Sequence, residues 1–290
     1  MNRRKRFANS GPAPSASPSR NRNPKENQAD RPRSEQPART REPRERRGEG
    51  RSGGSGSLWL YGTHAVMAAL ANPERYPKRL MLANGSTAPK GLPAELHPEF
   101  VDRQVLDQIL GRNAVHQGIA LLVSPLPDPG LDEACEPVAG RRNIVVLLDQ
   151  VTDPHNVGAI MRSAAAFGAR AVVVTDRHAP DATATLAKAA SGALERIPLV
   201  RVTNLARALD DLGDHGYWRV GLDGHAKETM KQAVTGQTNI AIVLGAEGEG
   251  LRRLTGERCD QLARLPISDA VESLNVSNAA AVALYALTAE

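Results

Sequence analysis

Ser273-Leu274-Asn275-Val276-Ser277, near the C-terminus, is the stretch whose reading decides the fold, because two comparable polar loops lie far upstream of it. Asp153-Pro154-His155-Asn156-Val157-Gly158 opens a segment of helical spacing that carries Arg162, and Gly245-Ala246-Glu247-Gly248-Glu249-Gly250 follows an apolar run. Each stands where a buried strand ends or a helix begins. Three such loops, distant in order, point to one site assembled from separate parts of the chain.

Around these loops, residues 141–290 alternate short apolar runs with segments of helical periodicity. Residues 143–148, 171–175, 197–202, 218–222, 240–244 and 262–267 read as strands. Residues 157–167 (with Gly168 at the end), 182–194, 205–212 and 274–287 read as helices. Strands without polar alternation suit a sheet covered on both faces. Repeated strand–helix alternation predicts an α/β fold with a parallel sheet and ligand loops at the strand ends.

Upstream, residues 58–124 predict a smaller α/β unit. It has a helix over 62–71, a strand over 78–83, a helix over 102–110 with Gly111 as its C-cap, and a strand over 118–123. Residues 125–140, rich in Pro and Gly, read as a linker.

Charge is unevenly spread. Residues 1–57 carry fifteen Lys and Arg against six Asp and Glu, a surplus of nine in a chain whose net charge is +5, so the remainder is net acidic. With seven Pro and one aromatic residue, Phe7, this tail is expected to be disordered. It suits a sequence-indifferent tether to nucleic-acid phosphates or a solubilising arm. It has no signal-peptide core and is too rich in Pro and acids for a transit peptide, and no later stretch reaches the ~18 apolar residues of a membrane span. Cys135 and Cys259 are isolated and fit neither a disulfide framework nor a paired metal motif. A cytoplasmic protein with two idle thiols is expected.

The loops themselves restrict the chemistry. Asn156 and Ser273 stand at expected helix N-caps, which accounts for those two residues alone. Arg162 is the only charge in residues 157–168, a position that calls for an anionic partner such as a phosphate or a site edge at a ribose. The glycine spacing of 245–250 is G-x-x-G-x-G, not the dinucleotide fingerprint, and Glu247 and Glu249 would repel a pyrophosphate. This argues against a nicotinamide enzyme and suits a polar hydroxyl or a ligand with positive charge, such as S-adenosylmethionine (AdoMet); three glycines after a strand also suit a plain tight turn.

Jointly, residues 153–159 with Arg162, residues 244–250 and residues 273–277 resemble the three motifs of the SPOUT superfamily, specifically its TrmH family of RNA ribose 2′-O-methyltransferases. Residues 61–66 and 115–120 resemble the two ends of the substrate-binding domain found in the branch that methylates a guanosine of 23S rRNA. The stretch around 84–101 looks shortened against that branch. The resemblance implies a C-terminal trefoil knot over 141–290, a homodimer with an active site shared between subunits, and RNA rather than DNA or membrane as partner. It implies AdoMet as cofactor, with Gly245, Leu265, Ile267 and Leu274 beside it, no metal, and Asn156, Arg162, Glu247, Ser273 and Asn275 as the catalytic set. A tRNA ribose, or a non-catalytic ribosome-assembly role on the same fold, are the competing readings.

The expected reaction is in-line methyl transfer. Arg162 is assigned to the 2′-oxygen and its phosphate. An arginine side chain, with an ordinary pKa above ~12, acts better as an electrostatic activator than as a base. Asn156 is expected to orient Arg162 and the ribose, Glu247 to hold Arg162 or the cofactor side, and Ser273 and Asn275 to complete the shell.

Overall fold

The apolar runs pair into two sheets. A computed structural model describes residues 56–177, 183–268 and 270–288, which belong to one compact unit. The basic tail lies outside the described residues apart from Gly56 and Ser57, as does Ala182, the expected start of the Ala-rich helix.

The first sheet is built from β1 (Leu58–Tyr61), α1 (Thr63–Ala71), β2 (Pro77–Ala83), β3 (Pro98–Val101), α2 (Arg103–Leu110) and β4 (Ile119–Val123). Its strand order is β1-β4-β2-β3. Gly111 does end α2, in a positive-φ conformation (φ 94°) that favours glycine. The two short edge strands, β1 and β3, were not expected from periodicity.

The segment read as a linker contains a helix, α3 (Leu131–Cys135), whose Ala134 and Cys135 are buried. Tyr217 donates a hydrogen bond from its hydroxyl to the Cys135 carbonyl (2.7 Å), so this stretch packs on the next sheet.

That sheet comprises β5 (Asn143–Asp149), α4 (Pro154–Ala166), β6 (Ala171–Thr175), α5 (Ala184–Ala190), a 3₁₀ turn (Ala193–Glu195), β7 (Leu199–Val202), α6 (Leu205–Asp214) and β8 (Trp218–Leu222). It continues with β9 (Glu228–Thr229), α7 (Met230–Ala233), β10 (Asn239–Gly245), α8 (Arg253–Glu257), β11 (Gln261–Arg264) and α9 (Val276–Thr288). The order is β7-β6-β5-β10-β8-β11-β9, every pair parallel. β11 stops at Arg264 rather than reaching Ile267, β7 begins at Leu199 rather than Ile197, and α9 begins at Val276 rather than Leu274.

Period-two alternation sends each central strand's residues to two cores. Ile144, Val146 and Leu148, with Ile240, Ile242 and Leu244, face α4, α5 and α9. Val145 and Leu147, with Ala241 and Val243, face α3 and α6. Both faces are therefore covered, which is why β5 and β10 read as unbroken apolar runs. Because the strands are parallel, their carboxyl ends share one edge. The chain runs outward through β5, β6 and β7, crosses back to β8, and then inserts β10 between β5 and β8. The break in order at β5–β10 is where open α/β sheets present ligand sites.

Gly158 sets how closely the α4–α5 layer packs. A Cβ there would lie 2.4 Å from the Ala189 Cβ and 2.8 Å from the Ala190 backbone nitrogen. Gly158→Ala gains about 1 kcal/mol of helix propensity but costs about 1–3 kcal/mol in forced displacement of α5. Chemical denaturation is expected to show net destabilisation; a stabilised variant would contradict this packing.

Candidate active site

At the β5–β10 edge, α4 starts with Asp153, whose carboxylate accepts from the His155 N–H (3.0 Å), followed by Pro154 at the first helical position. The N-cap is thus Asp153, not Asn156. The reason is local: proline lacks the N–H that a helix start leaves unpaired, so it fits directly after the cap. Asn156 falls inside the first turn, and its carboxamide is free to reach another loop.

It reaches Glu247. The Asn156 Nδ2 donates to Glu247 Oε1 (3.2 Å), and Asn275 Nδ2 donates to the same oxygen (2.5 Å) and to Asn156 Oδ1 (3.1 Å). The Val276 backbone N–H also donates to Glu247 Oε1 (3.3 Å). The three distant motifs therefore close on one carboxylate oxygen, as expected of a single site. The carboxylate lies against the N-terminal end of α9, where the helix dipole favours negative charge. No described residue bonds Glu247 Oε2.

Asn275, rather than Ser273, caps α9. Its Oδ1 accepts from the Ser277 N–H (2.9 Å) and the Ser277 hydroxyl (2.5 Å). Ser273 is exposed, in the loop before the helix, and bonds no described residue.

Arg162 is the clearest departure from expectation. It is exposed and bonds neither Asn156 nor Glu247, nor any other described residue. Helix geometry explains this: six residues at about 100° each turn it some 120° away from Asn156 and move it about 9 Å along the axis. It shares an exposed stripe of α4 with His155 and Ala166.

The loop that presents Glu247 is held by two features. Gly245 meets Gly250 so closely that a Cβ would lie 2.1 Å from the Gly250 carbonyl carbon, and Ala246 and Gly250 form a bridge. Glycine is needed at 245 for packing, whatever else its backbone does. Beside it, Asp149 is fully buried at the end of β5 and in register with Gly245. Its carboxylate accepts from the Arg252 backbone N–H (3.0 Å) and Nε (2.7 Å), and pairs with Nη2 (2.6 Å). Sequence reading did not single out this clamp. Its signal is an aspartate directly after five consecutive apolar residues, 144–148.

Leu265, Ile267 and Leu274 lie in the loop between β11 and α9. Leu265 packs partly against the core that contains Leu244 and Val276, Leu274 is half-buried, and Ile267 is 39% exposed. Partly exposed apolar side chains in a loop tied to Glu247 through Asn275 and Val276 suit the flat face of a nucleoside. Burial pushes the Cys135 and Cys259 thiols up to about 12, so neither offers a thiolate nucleophile at neutral pH.

Known proteins resemble this chain in sequence and in fold. A model of the SpoU rRNA methylase family matches residues 143–285, and one for RNA 2′-O ribose methyltransferase substrate binding matches residues 59–129. The chain is 44% identical over 242 residues to the 23S rRNA (guanosine-2′-O-)-methyltransferase RlmB of Pseudomonas aeruginosa, spanning 79% of this chain and 96% of that one. It is 40% identical over 240 residues to RlmB of Escherichia coli, spanning 79% and 97%. In fold it is similar to the SpoU methyltransferase AviRb from Streptomyces viridochromogenes in complex with AdoMet (TM-score 0.67, 23% identity, 80% of this chain and 89% of that one). It is also similar to an AdoMet-bound rRNA methyltransferase from Sinorhizobium meliloti (TM-score 0.63, 21% identity, 79% and 86%).

The Asp149–Arg252 clamp makes an asymmetric prediction. Arg252→Ala leaves a buried carboxylate with one remaining donor and is expected to cost about 3 kcal/mol or more. Asp149→Ala frees a half-exposed guanidinium to water and is expected to cost less, about 1–3 kcal/mol. Urea denaturation of both variants checks the order, and the reverse order would refute the clamp.

Proposed function

The chain belongs to the SpoU rRNA methylase family, and on that premise we propose that it transfers the methyl group of AdoMet to the ribose 2′-hydroxyl of a guanosine in 23S rRNA. The observation that carries this is the closure of Asn156, Glu247 and Asn275 on one another at the β5–β10 edge. The printed activity of the 40–44% identical relatives supports guanosine of 23S rRNA as substrate.

Gly245, Leu265, Ile267 and Leu274 would hold the cofactor. When bound, AdoMet supplies an electrophilic methyl on a sulfonium that leaves without metal assistance. The chain's own residues must then hold the 2′-oxygen in line and stabilise its developing negative charge as its proton passes to solvent water. Arg162 does the second, its guanidinium also binding the adjacent phosphate. The Asn156–Glu247–Asn275 cluster fixes the loop that lines the site and leaves Glu247 Oε2 as an acceptor. Ser273 adds a hydroxyl at the site edge. Positioning of this kind lowers such a barrier by several kcal/mol.

Arg162 faces away from that cluster on its own chain, so the reading includes a homodimer in which Arg162 of one copy serves the cluster of the other. Beside the Arg162 stripe, α9 exposes Val282 (45%) and Tyr285 (61%), the latter in edge contact with Phe167. An apolar helix face of this kind suits burial against a second copy. The reading also includes a trefoil knot, for which the insertion of β10 between β5 and β8 and the return of α9 onto the core around α4 are the support. Residues 58–124 serve as the RNA substrate-binding domain, 125–140 as the connection and 141–290 as the methyltransferase domain. The basic residues 1–57 tether rRNA phosphates. The enzyme works in the cytoplasm, where its rRNA is. Among the described residues, no helix is long and apolar enough to cross a membrane.

Two tests follow. Arg162→Ala is expected to lower single-turnover methyl transfer by about 100-fold or more, with AdoMet affinity unchanged; near-normal transfer overturns its role. Ribose-methylation mapping in a deletion strain is expected to show loss of a 2′-O-methylguanosine in 23S rRNA. Loss from tRNA, with 23S rRNA intact, overturns the substrate.

A further inference from the structure

The unit built on the first sheet is joined to the turn after α5 by a buried ion pair with no catalytic neighbour. Arg75, between α1 and β2, meets Glu195 at the end of the 3₁₀ turn after α5. Nη2 lies 2.6 Å from Oε1 and Nε 3.0 Å from Oε2, and both side chains are almost wholly buried. Asn72 Nδ2 also donates to Glu195 Oε2 (2.8 Å), and Arg75 Nη1 donates to the Ser124 carbonyl (2.9 Å). Both carboxylate oxygens and all three guanidinium nitrogens are engaged.

The surrounding contact is close. A Cβ on Gly192 would lie 2.6 Å from the Ala68 Cβ of α1. Lys188 Nζ donates to the Val115 carbonyl (2.7 Å), and Ala187 packs in one core with Leu60 and Val66. The other side of α5 is the one that Gly158 of α4 meets through Ala189 and Ala190. α5 is therefore a shared layer. It carries the first sheet on one side and, on the other, the helix whose first turn holds Asn156.

We propose that the Arg75–Glu195 pair is a positioning device that holds the substrate-binding sheet rigidly to the active-site helix, so that rRNA is selected by its fit across a fixed span. A buried pair gains little stability over an apolar contact of the same volume. What a bidentate pair adds is a single orientation. An RNA that must touch both the sheet and the active site gains affinity when the two are mounted in register, because the second contact becomes intramolecular at high effective concentration. Without the lock, the mount would rest on residues 125–140, the apolar contacts and the Lys188–Val115 hydrogen bond. The substrate here rests on the rRNA methyltransferase reading above.

The test uses the full chain with the double variant Arg75→Met/Glu195→Met, which removes the pair without stranding a charge, and Glu195→Gln as a milder second variant. Methylation of a 23S rRNA fragment is measured against fragment concentration, together with AdoMet affinity, melting temperature and amide hydrogen exchange. The expected result is a KM for the RNA raised about tenfold, with kcat and AdoMet affinity within about twofold and faster exchange in α1 and α5. An unchanged KM overturns the proposal. So does a parallel loss of kcat, KM and AdoMet affinity that follows a lowered melting temperature, since that marks a merely structural pair. If the unmodified chain binds AdoMet but does not methylate the fragment, the functional reading fails by itself. The rigid mount is then judged on exchange, and unchanged exchange in both variants overturns it.

Discussion

A single carboxylate oxygen, Glu247 Oε1, accepts hydrogen bonds from Asn156, Asn275 and the Val276 backbone, and the rest of the site depends on that convergence. The donors come from segments 119 residues apart. No local preference could bring them together; the parallel sheet does so by placing the ends of β5 and β10 side by side. The start of α9 then supplies both a carboxamide and a favourable helix end. The loop bearing Glu247 is held by Asp149 and Arg252 below it and by the Gly245–Gly250 contact beside it.

Close packing recurs at each level and uses glycine where backbones must meet. Gly158 lets α4 approach α5, and Gly192 lets α1 approach the turn after α5. The result is a continuous stack from the first sheet, through α5 and α4, to the first turn that holds Asn156. The buried Arg75–Glu195 pair in this stack has its hydrogen-bonding groups engaged, as burial requires. Arg162 lies on the outer side of α4, exposed and without a partner among the described residues.

Much of this was readable in advance, for physical reasons that differ by residue. The central strands announced themselves because both sheet faces are covered, so seven-residue runs such as 143–149 carry no alternation. Asn156, Glu247 and Asn275 stood out as polar residues at strand and helix ends, and the structure brings them together. Their roles were less readable. Asn156 reads as a cap by residue type, but Asp153 followed by Pro154 is the stronger helix start. Within one copy Arg162 does not meet Asn156, because residues six apart occupy different faces of a helix. α3 is hidden by the prolines and glycines that flank it, Pro129 and Gly130 before and Pro137 after. The Asp149–Arg252 and Arg75–Glu195 pairs leave no periodic trace, since each joins residues more than a hundred positions apart.

The central claim is that these loops form a pocket for a sulfonium nucleoside beside the Asn156–Glu247–Asn275 cluster. Isothermal titration calorimetry of the full chain with AdoMet, and separately with its demethylated thioether product, tests it most directly. Saturable binding of both ligands, weakened when Glu247 is replaced by alanine, is the predicted result. Absence of heat for either ligand at concentrations that saturate related methyltransferases would contradict it.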